Sequence, residues 1–507
     1  MAAYLRLGAP RLGKLTALRS LSRVAIAVPT FRSSPAWVPP TIALAWIGTL
    51  AAAAELGTIA YAMPLVGIAA AVAAFTFLKA ARGNPYAIGT ILILVVLLID
   101  AKFEVPHEPF EVSWKSVMKV AVWAALVGLA GLRWRSIARI LLKREIILLF
   151  AYAAIALISA LWSVVPAFSG GAAVGLFAYG ALACIVAVDL REETVIRLFV
   201  WTLLAFVCSG IIGAAVDPDL AWLPPSLDEI QSGHRLQGFA DHPNALGEIA
   251  AILILMAVTA RRQALIGRAT FYGSLGFGVA TILATGSRTA LVAVVTAWGL
   301  VASRNSRFGG AVAIVSLGVL SLILVLAACG ALPDITKYFG ELSRSGRGSE
   351  ILTLTGRTDL WDIAWTKIMQ KPFFGWGYYG TEQLIADSVD PKFADQAKHA
   401  HNMFLQSLLS VGFLGSLPGF AYILLLISRF VTNPDPTRDQ ITLLVLLSGF
   451  SEPSVFGIPI VATLIFYWVL AREAAKGLPS AGSSFDSAAK SSTHSFTGWA
   501  NQEPIHS

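Results

Sequence analysis

Apolar and polar positions fall in long alternating blocks along this chain. The apolar runs are closed by charge, proline or glycine: Thr41–Leu56, Ile59–Leu78, Tyr86–Ile99, Val117–Leu132, Ile146–Trp162, Gly171–Val188, Leu198–Val216, Pro243–Ala260, Phe271–Ala284, Thr289–Ala302, Gly309–Cys329, Met403–Ile427, Ile441–Phe450 and Val455–Leu470. A helix rises 1.5 Å per residue and a bilayer core takes roughly 20 residues, so each block with its flanks predicts one crossing. The stretch after Arg438 spans about 50 Å as a helix, too long for one crossing and slightly short for two. A break at Ser451-Glu452-Pro453 makes it two. The expected fold is an all-α polytopic membrane protein with about 14 crossings, within a range of 12–14.

One long hydrophilic stretch, 331–402, separates two of these blocks and predicts a large extramembrane loop with short helices. Within it Leu360, Trp361, Ala364, Trp365 and Ile368 recur at helical spacing, giving an amphipathic helix that lies on the membrane surface or the bundle. Lys371-Pro372 ends it, and the glycine-aromatic turn Phe374–Gly380 follows, its rings read as packing or interface groups. Residues 1–40 form a basic tail, 41–472 the transmembrane unit, and 473–507 a Ser/Ala/Gly-rich tail expected to be disordered.

Composition agrees with this picture. Only 13% of the 507 residues are charged, half of the roughly 25% of a soluble domain, and mean hydropathy is +0.71. The net charge of +8 does not indicate nucleic acid, because the basic residues sit in short connections between spans. With the N-terminus inside, 25 of the 38 Lys/Arg fall on the inner side and 12 on the outer, eight of those in the long loop. The short outer connections hold only Lys102, Lys115, Arg235 and Arg288, and Lys119 lies within a span. The positive-inside rule therefore turns both tails to the cytoplasm and the long loop outward, with the connections 217–242 and 285–288. Cys184, Cys208 and Cys329 lie in or at the ends of apolar blocks, so neither a disulfide framework nor a metal-type spacing is present. No metal or other cofactor is expected.

Chemistry gathers on the outer face. Arg235 and Arg288 stand near the starts of spans whose N-termini point outward, and Arg357 opens the loop helix. A guanidinium beside such an end binds phosphate oxygens well, although arginines there also serve lipid phosphates or cap helices. Ser287 can cap the span that follows it. His401, just before the span that begins at Met403, is placed to act as a general base. Glu248 and Glu452 are weaker candidates that can simply pair with arginine.

Four motifs occur in order: Arg-x-x-Gly-Phe-x-x-x-Pro-Asn at Arg235–Asn244, Gly-Ser-Arg-Thr-Ala at Gly286–Ala290, Gly-Arg-Thr-Asp-x-Trp to Pro-x-x-Gly-x-Gly over Gly356–Gly377, and His-x-His-Asn at His399–Asn402. Together they resemble the O-antigen ligase and Wzy-type polymerase superfamily, most closely its exopolysaccharide-polymerase branch. The resemblance implies a metal-independent glycosyltransferase of the bacterial inner membrane. It would move oligosaccharide from an undecaprenyl-pyrophosphate-linked donor to an acceptor glycan hydroxyl on the periplasmic face. It implies that Arg235 and Arg288 hold the pyrophosphate and that His401 is the base. Arg357, His399, Asn402, Asn244 and Ser287 would line the substrate site. Other polysaccharide-assembly proteins are expected as partners and nucleic acid is not. A ligase to lipid A core, a flippase of lipid-linked glycan and a non-catalytic assembly partner remain as alternatives.

Overall fold

The computed structural model describes residues 59–99, 101–102, 114–223, 235–304, 357–386, 388 and 399–477. The expected tail 1–40, the apolar blocks Thr41–Leu56 and Gly309–Cys329, most of the long loop and the tail beyond 477 lie outside the described residues.

The described chain is helical apart from one short hairpin. The helices in order are α1 (Ile59–Ala81), α2 (Pro85–Leu98), α3 (Trp114–Leu132), α4 (Trp134–Leu141), α5 (Arg144–Ile158), α6 (Pro166–Asp189), α7 (Glu192–Val216), α8 (Pro218–Ala221), α9 (Pro243–Arg262), α10 (Arg268–Thr285), α11 (Arg288–Ser303), α12 (Arg357–Gln370), α13 (Thr381–Ala386), α14 (Met403–Thr432), α15 (Pro436–Gly449) and α16 (Val461–Ala475). The hairpin pairs β1 (Trp222–Leu223) with β2 (Arg235–Leu236), antiparallel.

The described residues form an all-helical membrane architecture. Six helical stretches among the described residues are long and apolar enough to cross: Lys115–Leu132, Arg144–Trp162, Pro166–Asp189, Glu192–Val216, Pro243–Arg262 and Met403–Thr432. Among the described residues, other apolar blocks form shorter helices where proline and polar turns bound them: α2 has 14 residues and α11 has 16. α15 starts at Pro436 and stops before the Ser451–Pro453 turn at 14 residues, and α16 adds 15 beyond it. Burial ranks the spans. The apolar window of α9 is 83% buried and that of α3 only 17%, so α9 is central and α3 peripheral. α9 packs on α7, α10 and α11, while α6 carries α3, α5 and α16.

The connections sort into two ends of the bundle. The end opposite the candidate site is held by ions. Arg438 is fully buried, donates from Nη1 to Glu473 Oε2 at 3.0 Å and from Nε to Asp439 Oδ1 at 2.8 Å. Arg304 pairs with Asp439 and Arg429 with Glu145, while Arg472 bridges Glu192 at 2.6 Å and Asp435 at 2.9 Å. These bonds tie α5, α7, α11, α14, α15 and α16 at one level. Removing one partner of a buried pair leaves the other charge uncompensated, which costs about 3–5 kcal/mol. Arg438→Ala is therefore expected to cause a large drop in the thermal midpoint of the detergent-solubilised protein; an unchanged midpoint would show the network to be dispensable.

α14 is not one continuous helix. Gly412 has φ 73° and ψ −177°, a region that is essentially glycine's alone. A Cβ there would stand 2.3 Å from the Phe373 carbonyl group. Backbone from the glycine-aromatic turn fills the break. Trp376 N–H donates to Leu409 O and Gly377 N–H to Ser410 O, both at 2.9 Å, while Phe413 N–H donates to Pro372 O at 2.7 Å. Backbone groups opened inside a membrane must be satisfied by protein, and here a loop does it. Gly412 lies nine residues past Met403, about 14 Å along the axis from the start of α14. The turn therefore enters the bundle; its aromatic rings are secondary to its main chain. α12 packs on α14 through Ala364 and Ile368, which share a small core with Ile385, Leu408 and Leu409.

Candidate active site

The end of the bundle where this turn enters gathers residues from five distant segments. Arg235, in β2, is buried and donates from Nε to Thr285 O at 2.9 Å and from Nη2 to Asn244 Oδ1 at 2.7 Å. Asn244, in the first turn of α9, donates from Nδ2 to Glu452 Oε1 at 2.6 Å. Glu452 lies in the turn between α15 and α16, and its Oε2 stands 3.5 Å from His401 Nδ1. A polar line thus runs from Thr285 through Arg235, Asn244 and Glu452 to His401.

His401 is held by its neighbours. Asn402 is the N-cap of α14 and accepts the N–H groups of Phe404 and Leu405 at 3.0 and 3.1 Å. Gln406 accepts the Ala400 N–H at 3.2 Å and donates to Thr381 Oγ1 at 2.7 Å, fixing the segment to α13. His401 itself has φ 42°, left-handed backbone that is uncommon outside glycine and found more often in His, Asn and Asp. Such strain persists where surrounding structure imposes it and concentrates at functional sites. His399 Nδ1 lies 3.2 Å from Glu382 Oε1, and the two imidazole rings are 6.1 Å apart, edge to face. Burial, together with the Glu382 carboxylate, pushes the Tyr379 phenol up, so it stays a donor toward Glu382.

The second expected arginine sits beside this line. Gly286 ends α10 in the left-handed conformation, and Ser287 Oγ caps α11 by accepting the Ala290 N–H at 3.3 Å. Arg288, at the first position of α11, is exposed. Its neighbour Thr289 accepts from Ser451 Oγ at 2.8 Å, which ties the Arg288 turn to the Glu452 turn. Arg357 opens α12, and its side chain lies outside the described residues.

The geometry divides the roles that spacing alone left together. Arg235 is buried, and its Nε and one terminal nitrogen are engaged with protein; it fixes Asn244 and the α10 end. Arg288 presents its guanidinium at a helix N-terminus, where the free N–H groups and the dipole also favour an anion. Asn402 and Ser287 act as caps. Two residues enter that spacing did not promote. Glu452 links His401 to Asn244, and Glu382 faces His399. A glutamate in the break between two apolar blocks was a usable signal for the first. Nothing set Glu382 apart from the other acids of a long polar loop.

An imidazole facing a carboxylate 3.5 Å away can take up a proton while the carboxylate steadies the resulting cation, and a guanidinium on a helix N-terminus beside it suits a phosphate. No curated protein matches the chain. Residues 273–418, which include Ser287, Arg288, Arg357, His399, His401 and Asn402 as well as the break at Gly412, match the family model described as O-antigen ligase.

Proposed function

We propose that the protein is a metal-independent glycan polymerase of the bacterial inner membrane, acting on the periplasmic face. The observation that carries this reading is the Arg235–Asn244–Glu452–His401 line beside the exposed Arg288. The Lys/Arg asymmetry between the two sets of short connections supports a periplasmic site.

In this mechanism an undecaprenyl-pyrophosphate-linked oligosaccharide lies with its tail against the bundle and its phosphates at Arg288. His401 accepts the proton of an acceptor sugar hydroxyl. The hydroxyl oxygen attacks the anomeric carbon as the bond from that carbon to the pyrophosphate oxygen breaks, and the electron pair leaves with the pyrophosphate. Arg288 and the α11 N-terminus offset the charge that develops there. In-line attack inverts the anomer. Glu452 orients the imidazole and steadies its cation, and Asn244 with Arg235 holds Glu452.

Incubating purified protein with a lipid-linked repeat unit alone tests the reading. A ladder of longer glycans is expected. Product only after lipid A core is added would make the protein a ligase. The break in α14 gives a flippase specific support, since transporters build sites at discontinuous spans. Translocation of the lipid-linked sugar across vesicles with no new glycosidic bond would establish that alternative. Glu452→Gln keeps an acceptor for Asn244 but removes the charge facing His401. It is expected to lower kcat by roughly 10- to 100-fold with KM little changed, the effect of losing transition-state charge stabilisation. An unaltered kcat would remove Glu452 from the mechanism.

A further inference from the structure

We propose that α4 and its flanks form a docking face for anionic lipid headgroups at the end of the bundle opposite the candidate site. The inference goes beyond the polymerase reading and does not rest on it.

α4 is eight residues long and stands between the spans of α3 and α5. Glu145, just after it, pairs with Arg429 in the ion network, which puts α4 at that level. Ile137 and Ile140 are buried on the side where α4 packs on α6. Arg133 donates to Asp189 at 2.7 Å and Ser136 to the same oxygen at 3.3 Å, so the helix is mounted on the end of α6. The opposite face carries Arg135, Arg139 and Leu142, spaced by four and three residues, and all three are exposed. Leu142 is 78% exposed, and Leu132 and Trp134 beside it are 63% and 59% exposed.

The cations of this face have no carboxylate of their own. Asp189 is committed to Arg133 and Ser136, and Glu145 to Arg429 and Arg144. Among the described residues Arg135, Arg139 and Lys143 pair with no acid. The tails expected at this end add positive charge. Residues 1–40 hold six Lys/Arg and no acid, and 478–507 hold Lys490 against Asp486 and Glu503.

The positive-inside asymmetry accounts for basic residues here, but not for a tryptophan and two leucines exposed among them. Water suits the arginines and not the apolar groups. The headgroup layer suits both: tryptophan settles at that depth, and an arginine reaches lipid phosphates while its stem lies along apolar surface. The face also continues a lipid-facing one. α3, whose apolar window is only 17% buried, exposes Val117, Val120 and Val127 and ends at Leu132. With no carboxylate sharing them, the arginines favour a lipid of net negative charge over a zwitterionic one.

The test places the full chain in phosphatidylcholine nanodiscs with a dansyl group on Leu142→Cys. Cys208 and Cys329 are replaced by alanine, and the fully buried Cys184 is kept. Nitroxide-labelled phosphatidylglycerol or nitroxide-labelled phosphatidylcholine is added at equal fractions, and dansyl quenching reads which lipid touches the face. Both are expected to quench, phosphatidylglycerol more strongly, with added salt narrowing the difference. Arg135→Gln with Arg139→Gln should reduce that preference by about fivefold for each arginine removed, while Arg135→Lys with Arg139→Lys keeps it. Both arginines are exposed, so the glutamine variant is expected to melt like the parent. No quenching by either lipid would mean that water or an acidic protein covers the face, and would overturn the proposal. Equal quenching by the two lipids in the parent, or a preference that survives in the glutamine variant, would overturn it too. So would loss of the preference to inorganic phosphate at equal concentration, since the ligand would then be a soluble anion.

Discussion

An alanine at His401 is expected to lower glycan transfer by about 10²- to 10⁴-fold, the range for loss of a positioned general base. The imidazole faces Glu452, stands beside the N-terminus of α14 and occupies strained backbone that Asn402 and Gln406 hold in place. Because φ is 42°, alanine also changes the local backbone preference. His401→Asn separates the two effects, since asparagine tolerates left-handed backbone but is no base. Both variants are expected to lose initial rate to a similar extent with the purified protein and a lipid-linked repeat, while His401→Asn melts like the parent. Transfer by His401→Asn at near the parental rate would remove the base from the mechanism. Combining either change with Glu452→Gln should cost little more than His401 alone, because the two groups act as a unit.

The largest structural effect is expected at Gly412. Its φ and ψ lie where only glycine is at ease, and a Cβ would overlap the Phe373 carbonyl group. Backbone strain alone costs on the order of 1–3 kcal/mol, and expelling Phe373 would also break the Trp376, Gly377 and Phe413 hydrogen bonds that fill the gap in α14. Gly412→Ala should therefore sharply reduce the monodisperse, detergent-solubilised fraction and the melting temperature. Gly273→Ala is the matched control. It sits in α10, where an added Cβ would meet nothing within 4 Å, and alanine favours a helix over glycine by about 1 kcal/mol. Equal behaviour of the two variants would mean that the break in α14 is not required.

How much of this was legible in the chain depends on the range of the interaction. The apolar blocks forecast the helices, since each depends on its own residues; Val117–Leu132 and Pro243–Ala260 lie inside α3 and α9. The Ser451–Pro453 break between α15 and α16 was readable from a glutamate and a proline. Arg235, Asn244, Ser287 and His401 stood out because each sits beside the start of a span. The contact between Glu452 and His401 was not readable, because it joins two turns across α14 and α15 and no spacing encodes it. The glycines of Phe374–Gly380 were conspicuous, but their partner was a single glycine inside an apolar run. A hydrophobic pattern cannot report main-chain hydrogen bonds between segments, so α14 looked continuous.

The filled break also sets an order of events in biogenesis. Residues 372–377 leave the ribosome before Leu409 to Phe413, so the donors and acceptors that complete α14 are already made when that span enters the bilayer. A circularly permuted chain that delivered α14 first would commit a span with open carbonyls to lipid, and its failure to accumulate would come from the schedule of synthesis rather than from any contact missing in the finished protein.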